Sequence, residues 1–238
     1  MYYAISDIHG CYDLYSKMLD KIGFSDSDTL FFLGDAIDRG PDGLAVLRDL
    51  MHRPNAVCFL GNHEDMMRKV VGMLGKQITV QQMEAIRRTF INWTQFNGGE
   101  VTWDAFMALP EQEREEIVSW LENLKVGQEI AVNGNAFLLV HAGVGAYEPK
   151  KDLRDCTLDD FIWERMDYGQ VYYPDKFLVT GHTPTGMIDR NSRNRIFRKN
   201  NHIAIDCGAV YGGTLGCFCL DTMEEFYVSR EEAAQPPQ

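Results

Sequence analysis

Thr29-Leu-Phe-Phe-Leu-Gly-Asp-Ala-Ile-Asp-Arg-Gly-Pro41 is the stretch whose reading decides the fold. Its opening, Thr29–Leu33, is a short apolar run of the kind that forms a buried strand of a parallel sheet. Asp35, Asp38 and Arg39 follow at once, between Gly34 and Gly40. A strand that ends in carboxylates and glycines delivers charge to the carboxyl edge of a sheet, where open α/β sheets bind ligands. Two acids and a guanidinium within five residues imply a cation and an anion as guests.

Outward from this stretch the pattern repeats. Upstream, Tyr2–Ser6 is β-prone and runs into Asp7-Ile-His-Gly10. Leu14, Met18, Leu19 and Ile22 then keep helical spacing up to Gly23. Downstream, Leu44, Val46, Leu47, Leu50 and Met51 place a helix over Asp42–His52, before Pro54. Ala56–Leu60 is a third strand and ends in Gly61-Asn-His-Glu64. Strand, helix, strand, helix, strand is the signature of a parallel sheet, so the three polar clusters should meet at one edge.

From Asp65 to about Lys125 the chain reads as helical. A capping box, Thr79-Val-Gln-Gln82, opens Val80–Phe96, and Pro110 opens a helix that runs to Leu124. This insertion carries no strand and no chemical motif; capping the site and plain packing both account for it. Afterwards the chain turns β-rich. Asn133-Gly134 marks a hairpin, Ala136–Val140 ends in His141, and Phe177–Val179 ends in Thr180-Gly-His-Thr-Pro184. A second hairpin turns at Asn200-Asn201, and Leu215–Leu220 and Glu225–Val228 finish the sheet. A single domain over residues 1–230 is expected, with the insertion at about 65–125. The polar, proline-ended tail 231–238 should be disordered.

The net charge, 23 − 35 = −12, excludes a general basic surface for nucleic acid or an anionic membrane. No apolar run approaches the ~18 residues of a membrane span, and no signal-peptide pattern precedes Tyr2. Six cysteines without C-x-x-C spacing read as reduced thiols, so a cytoplasmic protein is expected. None has an arginine six positions later, which excludes a cysteine-nucleophile phosphatase loop.

Five strand-end clusters carry the chemistry: Asp7 with His9, Asp35 with Asp38 and Arg39, Asn62-His63-Glu64, His141, and His182. Asp7 and His9, two apart, can reach one ion, and Asp35 has oxygens enough to bridge two. Asn62, His141 and His182 add oxygen and nitrogen donors. A set without thiolate suits manganese, iron or zinc, and a pair of such ions serves in-line displacement at phosphorus. His52 and His202 lie outside the clusters and read as structural or surface residues.

The series D-x-H-G, G-D-x-x-D-R-G, G-N-H-E, H-A-G and G-H-T-P, over roughly Ala4 to Gly213, resembles the phosphoprotein phosphatase family of metallophosphoesterases. It is most similar to the small bacterial and phage serine/threonine phosphatases, and it shares much with bacterial diadenosine tetraphosphate hydrolases. The resemblance implies a four-layer α/β/β/α sandwich. It implies two divalent ions, manganese first and iron or zinc after it. Asp7 and His9 would bind one, Asn62, His141 and His182 the other, and Asp35 would bridge. His63 would be the general acid, oriented by Asp38 and braced through Glu64. Arg39 would hold phosphate with a second arginine, Arg165 or else Arg154, and Tyr211 would lie near the site. Arg190, Arg193, Arg195 and Arg198 read as solvated. The expected function is phosphomonoester hydrolysis by a metal-held hydroxide, by a serine/threonine or dual-specificity protein phosphatase acting on phosphoproteins or phosphopeptides. The alternatives are a dinucleoside polyphosphate hydrolase, with a nucleotide phosphate substrate, and a non-catalytic phosphoprotein-binding module. Oligomeric state is not legible.

Overall fold

The structure, a computed structural model, describes residues 1–148 and 152–234. Two mixed five-stranded sheets pack face to face. The first contains β1 (Tyr2–Ile5), β2 (Thr29–Phe32) and β3 (Ala56–Cys58), all parallel. Helices α1 (Tyr12–Lys21) and α2 (Gly43–His52) connect them. The second is built on β4 (Gly127–Val132), β5 (Asn135–Val140), β6 (Phe177–Thr180), β7 (Phe197–Lys199) and β8 (His202–Ala204), in the order β4-β5-β6-β8-β7. Within it β5, β6 and β8 run parallel. The last strands, β9 (Leu215–Cys219) and β10 (Glu225–Val228), do not extend this sheet. They cross back to the first, where β9 lies antiparallel beside β1.

Period-2 alternation sorts the strand residues into layers. Ala4, Phe31, Leu33, Phe137, Leu139, Val179 and Phe218 fill the space between the sheets. Tyr3, Ile5, Leu30, Phe32, Cys217 and Cys219 face the opposite way, onto α1, α2 and α3 (Asn62–Val71). Leu138, Val140 and Leu178 face out of the second sheet, under Leu153, Phe161, Tyr168 and Met166. The result is the four-layer sandwich, helices, sheet, sheet, outer cover, in which Cys11, Cys207, Cys217 and Cys219 are buried.

The insertion comprises α3 from Asp65 onward, α4 (Val80–Ile91), a π-helical turn (Asn92–Phe96), α5 (Glu100–Met107) and α6 (Glu111–Glu122). The Thr79 hydroxyl accepts the Gln82 amide, the first half of the expected capping box. The chain returns beside β3, with the Leu60 amide on the Lys125 carbonyl at 2.7 Å. At the C-terminus, where the sequence reading expects disorder from residue 231, Arg230–Ala233 is a short helix whose first turn the Ser229 hydroxyl caps. The rest of that segment, 235–238, lies outside the described residues.

Candidate active site

Six strands run parallel to a neighbour within the two sheets, and each delivers polar side chains past its carboxyl end. β1 leads to Asp7 and His9, β2 to Asp35, Asp38 and Arg39, and β3 to Asn62 and His63. In the second sheet β5 leads to His141, β6 to His182 and β8 to Asp206. The two sheets meet here. His141 Nδ1 lies 2.7 Å from the Leu33 carbonyl of the first sheet, and the His182 amide donates to Asp7 Oδ2 at 2.9 Å. The backbone is bent to achieve this. Asp7, His9, Asp35, Asp38, Arg39 and His182 all hold left-handed φ angles between 44° and 72°, a region that L residues adopt uncommonly.

The four imidazoles share one arrangement. A backbone carbonyl can only accept, so the ring nitrogen against it carries the hydrogen. His9 Nδ1–H donates to the Ile37 carbonyl at 2.8 Å and His141 Nδ1–H to Leu33. His182 Nε2–H donates to the Trp163 carbonyl at 3.1 Å. His63 Nδ1–H donates to Asp38 Oδ2 at 2.5 Å. The second nitrogen of each ring therefore keeps its lone pair and turns inward. His9 and His141 Nε2 each lie 3.5 Å from an Asp35 oxygen. Asn62 Oδ1 sits 3.0 Å from both His141 Nε2 and His182 Nδ1. Burial lowers the pKa of all four, His182 to about 2, so they stay neutral.

The acids move the other way. Burial, and then the Asp7 charge, push the carboxyls of Asp35 and Asp206 well above their ordinary range. Crowded, dehydrated carboxylates facing neutral imidazole lone pairs form an oxygen–nitrogen donor set that a divalent cation would satisfy. Donor atoms of His9, Asp35 and His63 lie mutually within 4.8 Å, as do those of Asp35, His141 and His182. Asp35 belongs to both groups. Distance alone places His63, rather than Asp7, with His9 and Asp35.

Glu64 fixes this edge. Its oxygens accept the amides of Asp35 and Ala36, both at 2.8 Å, and of Gly61 at 3.1 Å. Burial lifts its pKa to about 7. Arg39 is exposed and spans two rings, donating to Nε2 of His9 and, at 2.9 Å, to Nε2 of His63.

A cavity of about 740 Å³ opens onto Asp35, Arg39, Asn62 and His182. Arg165 and Tyr211 line it as well. Arg154 does not: it is exposed and held by Asp152 through three hydrogen bonds from its guanidinium. Two residues depart from the sequence reading. Arg190 and Arg193, expected to be merely solvated, line the cavity. Arg195 and Arg198 lie instead over the rings of Tyr227 and Phe218. His202 is buried, 2.8 Å from Thr180 Oγ1, and His52 is on the surface.

Three contributors were not foreseen. Asp206 follows the apolar run of β8 as the other site residues follow theirs, and that pattern could have found it. Trp93 and Thr102 come from the insertion. Trp93 Nε1–H donates to Asp38 Oδ2 at 2.7 Å, and the Asp38 amide donates to Thr102 Oγ1 at 3.0 Å. Burial lifts the Asp38 carboxyl to about 7.

Residues 2–213 match the family model for calcineurin-like phosphoesterases, and the chain belongs to that family. It is therefore a hydrolase of phosphate esters in a family that uses divalent metal ions. Among curated proteins it is 28% identical over 237 residues to the asymmetrical bis(5'-nucleosyl)-tetraphosphatase PrpE of Halalkalibacterium halodurans, with 89% of this chain and 86% of that one covered. Among solved structures, a candidate diadenosine tetraphosphatase superposes with a TM-score of 0.65 at 20% identity, covering 96% and 92% of the two chains. A serine/threonine phosphatase from Saccharomyces cerevisiae superposes with a TM-score of 0.56 at 13% identity, covering 96% and 80%. These two likenesses are of fold.

Proposed function

We propose that this protein hydrolyses a dinucleoside polyphosphate of the diadenosine tetraphosphate kind, using two divalent ions, with manganese the first choice. The observation that carries the chemistry is the common set of the four imidazoles. Each spends one N–H on a fixed acceptor and turns the other nitrogen onto Asp35, Asn62 or Arg39. Asp7, His9 and Asp35 would hold one ion, and Asp35, Asn62, His141 and His182 the other, with Asp206 beside Asp7. Bound there, the ions supply Lewis acidity and a water acidic enough to attack phosphorus near neutral pH.

The chain's own groups do the rest. Arg39 presents a guanidinium fork to two oxygens of the phosphate undergoing attack. Arg165 meets the same phosphate from the second sheet's side of the cavity. His63, neutral at rest with its Nε2 lone pair turned inward, takes a proton from solvent at Nε2 once the anionic substrate is bound and passes it to the leaving oxygen. Asp38 holds the other face of that ring and so aims it. Glu64 acts through the backbone, keeping the Asp35 turn in place.

The tetraphosphatase relative, similar along nearly the whole chain, supports a dinucleoside polyphosphate over the phosphoprotein that the motifs alone put first. With manganese, one preparation is assayed on diadenosine tetraphosphate and on a phosphoserine peptide. The expected result is a kcat/KM for the tetraphosphate well above that for the peptide, with both activities lost in Asp35→Asn. A higher value for the peptide would return the substrate to phosphoproteins. An inactive wild type that binds phosphopeptide would leave a binding module.

A further inference from the structure

We propose that Arg190 and Arg193 form a second anion subsite, which holds the phosphates of a linear polyphosphate beyond the one undergoing attack. The inference rests on the reading of the substrate as a polyphosphate and extends it to named residues. Three observations carry it.

The first is placement. Arg190 opens a 3₁₀ turn (Arg190–Ser192) just after a short helix (Thr185–Ile188), Arg193 follows it, and both line the cavity that holds Asp35, Asn62 and His182.

The second is pairing. Of the fourteen arginines in this acidic chain, seven (Arg48, Arg53, Arg68, Arg88, Arg154, Arg198 and Arg230) each form an ion pair with a carboxylate. Among the described residues, neither Arg190 nor Arg193 pairs with one, and neither does Arg165, whose Nη1 contact is Met187 Sδ at 3.7 Å. The nearest acid in sequence, Asp189, is occupied in building the turn. Its Oδ1 accepts the Asn191 amide at 3.1 Å, and its Oδ2 accepts the Ser192 hydroxyl.

The third is packing. The Arg193 stem lies over Gly186, where an added Cβ would stand 3.1 Å from Arg193 Cγ. The missing side chain leaves the stem a bed on the cavity wall.

Arg39 and Arg165 suffice for one phosphate. Two further unpaired guanidinium groups on the same wall suit more anionic charge than a monoester carries. A chain of phosphates supplies that charge at closely spaced intervals along a single ligand.

The test uses inhibition of p-nitrophenyl phosphate hydrolysis by inorganic tripolyphosphate and by orthophosphate, at constant free manganese. The wild type should bind tripolyphosphate the more tightly. In the double variant Arg190→Gln/Arg193→Gln the ratio of the two inhibition constants should fall at least tenfold toward unity. The double variant with lysine should recover part of it. Arg195→Gln, on the same loop but against Tyr227, should leave the ratio as in the wild type. All positions are exposed, and thermal melts check that the variants fold. A ratio unchanged by the double variant, or changed equally by Arg195→Gln, overturns the subsite. Should the wild type fail to cleave diadenosine tetraphosphate while the ratio still falls, the subsite stands and the substrate reading goes. Cleavage of the tetraphosphate with an intact ratio removes the subsite alone.

Discussion

Asp38 Oδ2 accepts two hydrogens, one from His63 and one from Trp93. The imidazole is therefore steered by a carboxylate that is itself anchored from another element. If His63 acts on the leaving oxygen, His63→Asn should lower kcat on a substrate with a poor leaving group by about 10²–10⁴. The effect should be smaller on p-nitrophenyl phosphate, whose leaving group needs little protonation. Metal analysis should still find the wild-type ion content; loss of an ion would make His63 a ligand, as its 3.9 Å approach to Asp35 allows. Outside the site, His202 has a pKa lowered to about 3 by burial, against an ordinary value of 6.5. The unfolded chain therefore takes up a proton that the folded one refuses. Stability from this group is full above pH 6.5 and falls as pH drops toward 3, by up to about 1.4 kcal/mol per unit. Denaturant titrations should show His202→Asn less stable at pH 7, with the gap to wild type closing as pH falls to 5. A constant gap would contradict the neutral buried ring. Most residues at this scale were legible, because each follows an apolar run that ends at a glycine-flanked turn. Arg190 and Arg193 were not. Nothing local distinguishes a guanidinium facing a cavity from one facing water; only the fold of the 185–194 segment decides it.

The insertion matters less as a cap than as a brace. Its π-helical turn buries Trp93, and π-turns often mark places where a helix is bent to serve a site. The next loop brings the Gly98 carbonyl to the Arg39 amide at 2.9 Å. Gly98 has φ +75°, and a Cβ there would stand 2.9 Å from Arg39 Cγ. Gly98→Ala should therefore both strain the loop, by about 1–2 kcal/mol, and push Arg39 from its position. A thermal melt should register the first effect. A rise in KM exceeding the fall in kcat should register the second, and a melt shift with unaltered KM would show that Arg39 adjusts. The sequence reading found α3, α4 and α6 and the capping box of α4, but not α5. It missed their chemistry, because Trp93, Gly98 and Thr102 belong to no motif and gain meaning only from where α5 and the π-turn lie against the Asp38 loop. It also carried β9 and β10 into the second sheet. Strand pairing between distant segments leaves no local mark, whereas the β-α-β-α-β half, joined by short crossovers, could be read directly.

Taken whole, the molecule divides its donors between the two sheets, four on the first and three on the second. Asp7, His9, Asp35 and Asn62 belong to the first, and His141, His182 and Asp206 to the second. Ions held between them would tie the sheets together and bind only the folded chain. At a free concentration of about 100 Kd one such ion adds about 2.7 kcal/mol, which for a chain of this size raises Tm by roughly 5–10 °C. Scanning calorimetry with manganese and then with a chelator should show that difference, with reversal on adding the metal back. An equal Tm in both conditions would mean that no ion binds the folded chain in preference to the unfolded one.

The six left-handed residues at the catalytic edge bear on the chain's stability as well as its chemistry. At about 1 kcal/mol each they withhold roughly 6 kcal/mol, a sum on the scale of a domain's whole net stability. Glycine at any of them would relax the backbone but empty that place at the edge, and at Asp7, Asp35 or Asp38 it would also forfeit a buried hydrogen bond to His182, His63 or Trp93. The strain is thus concentrated at the positions that present Asp, His and Arg to the cavity.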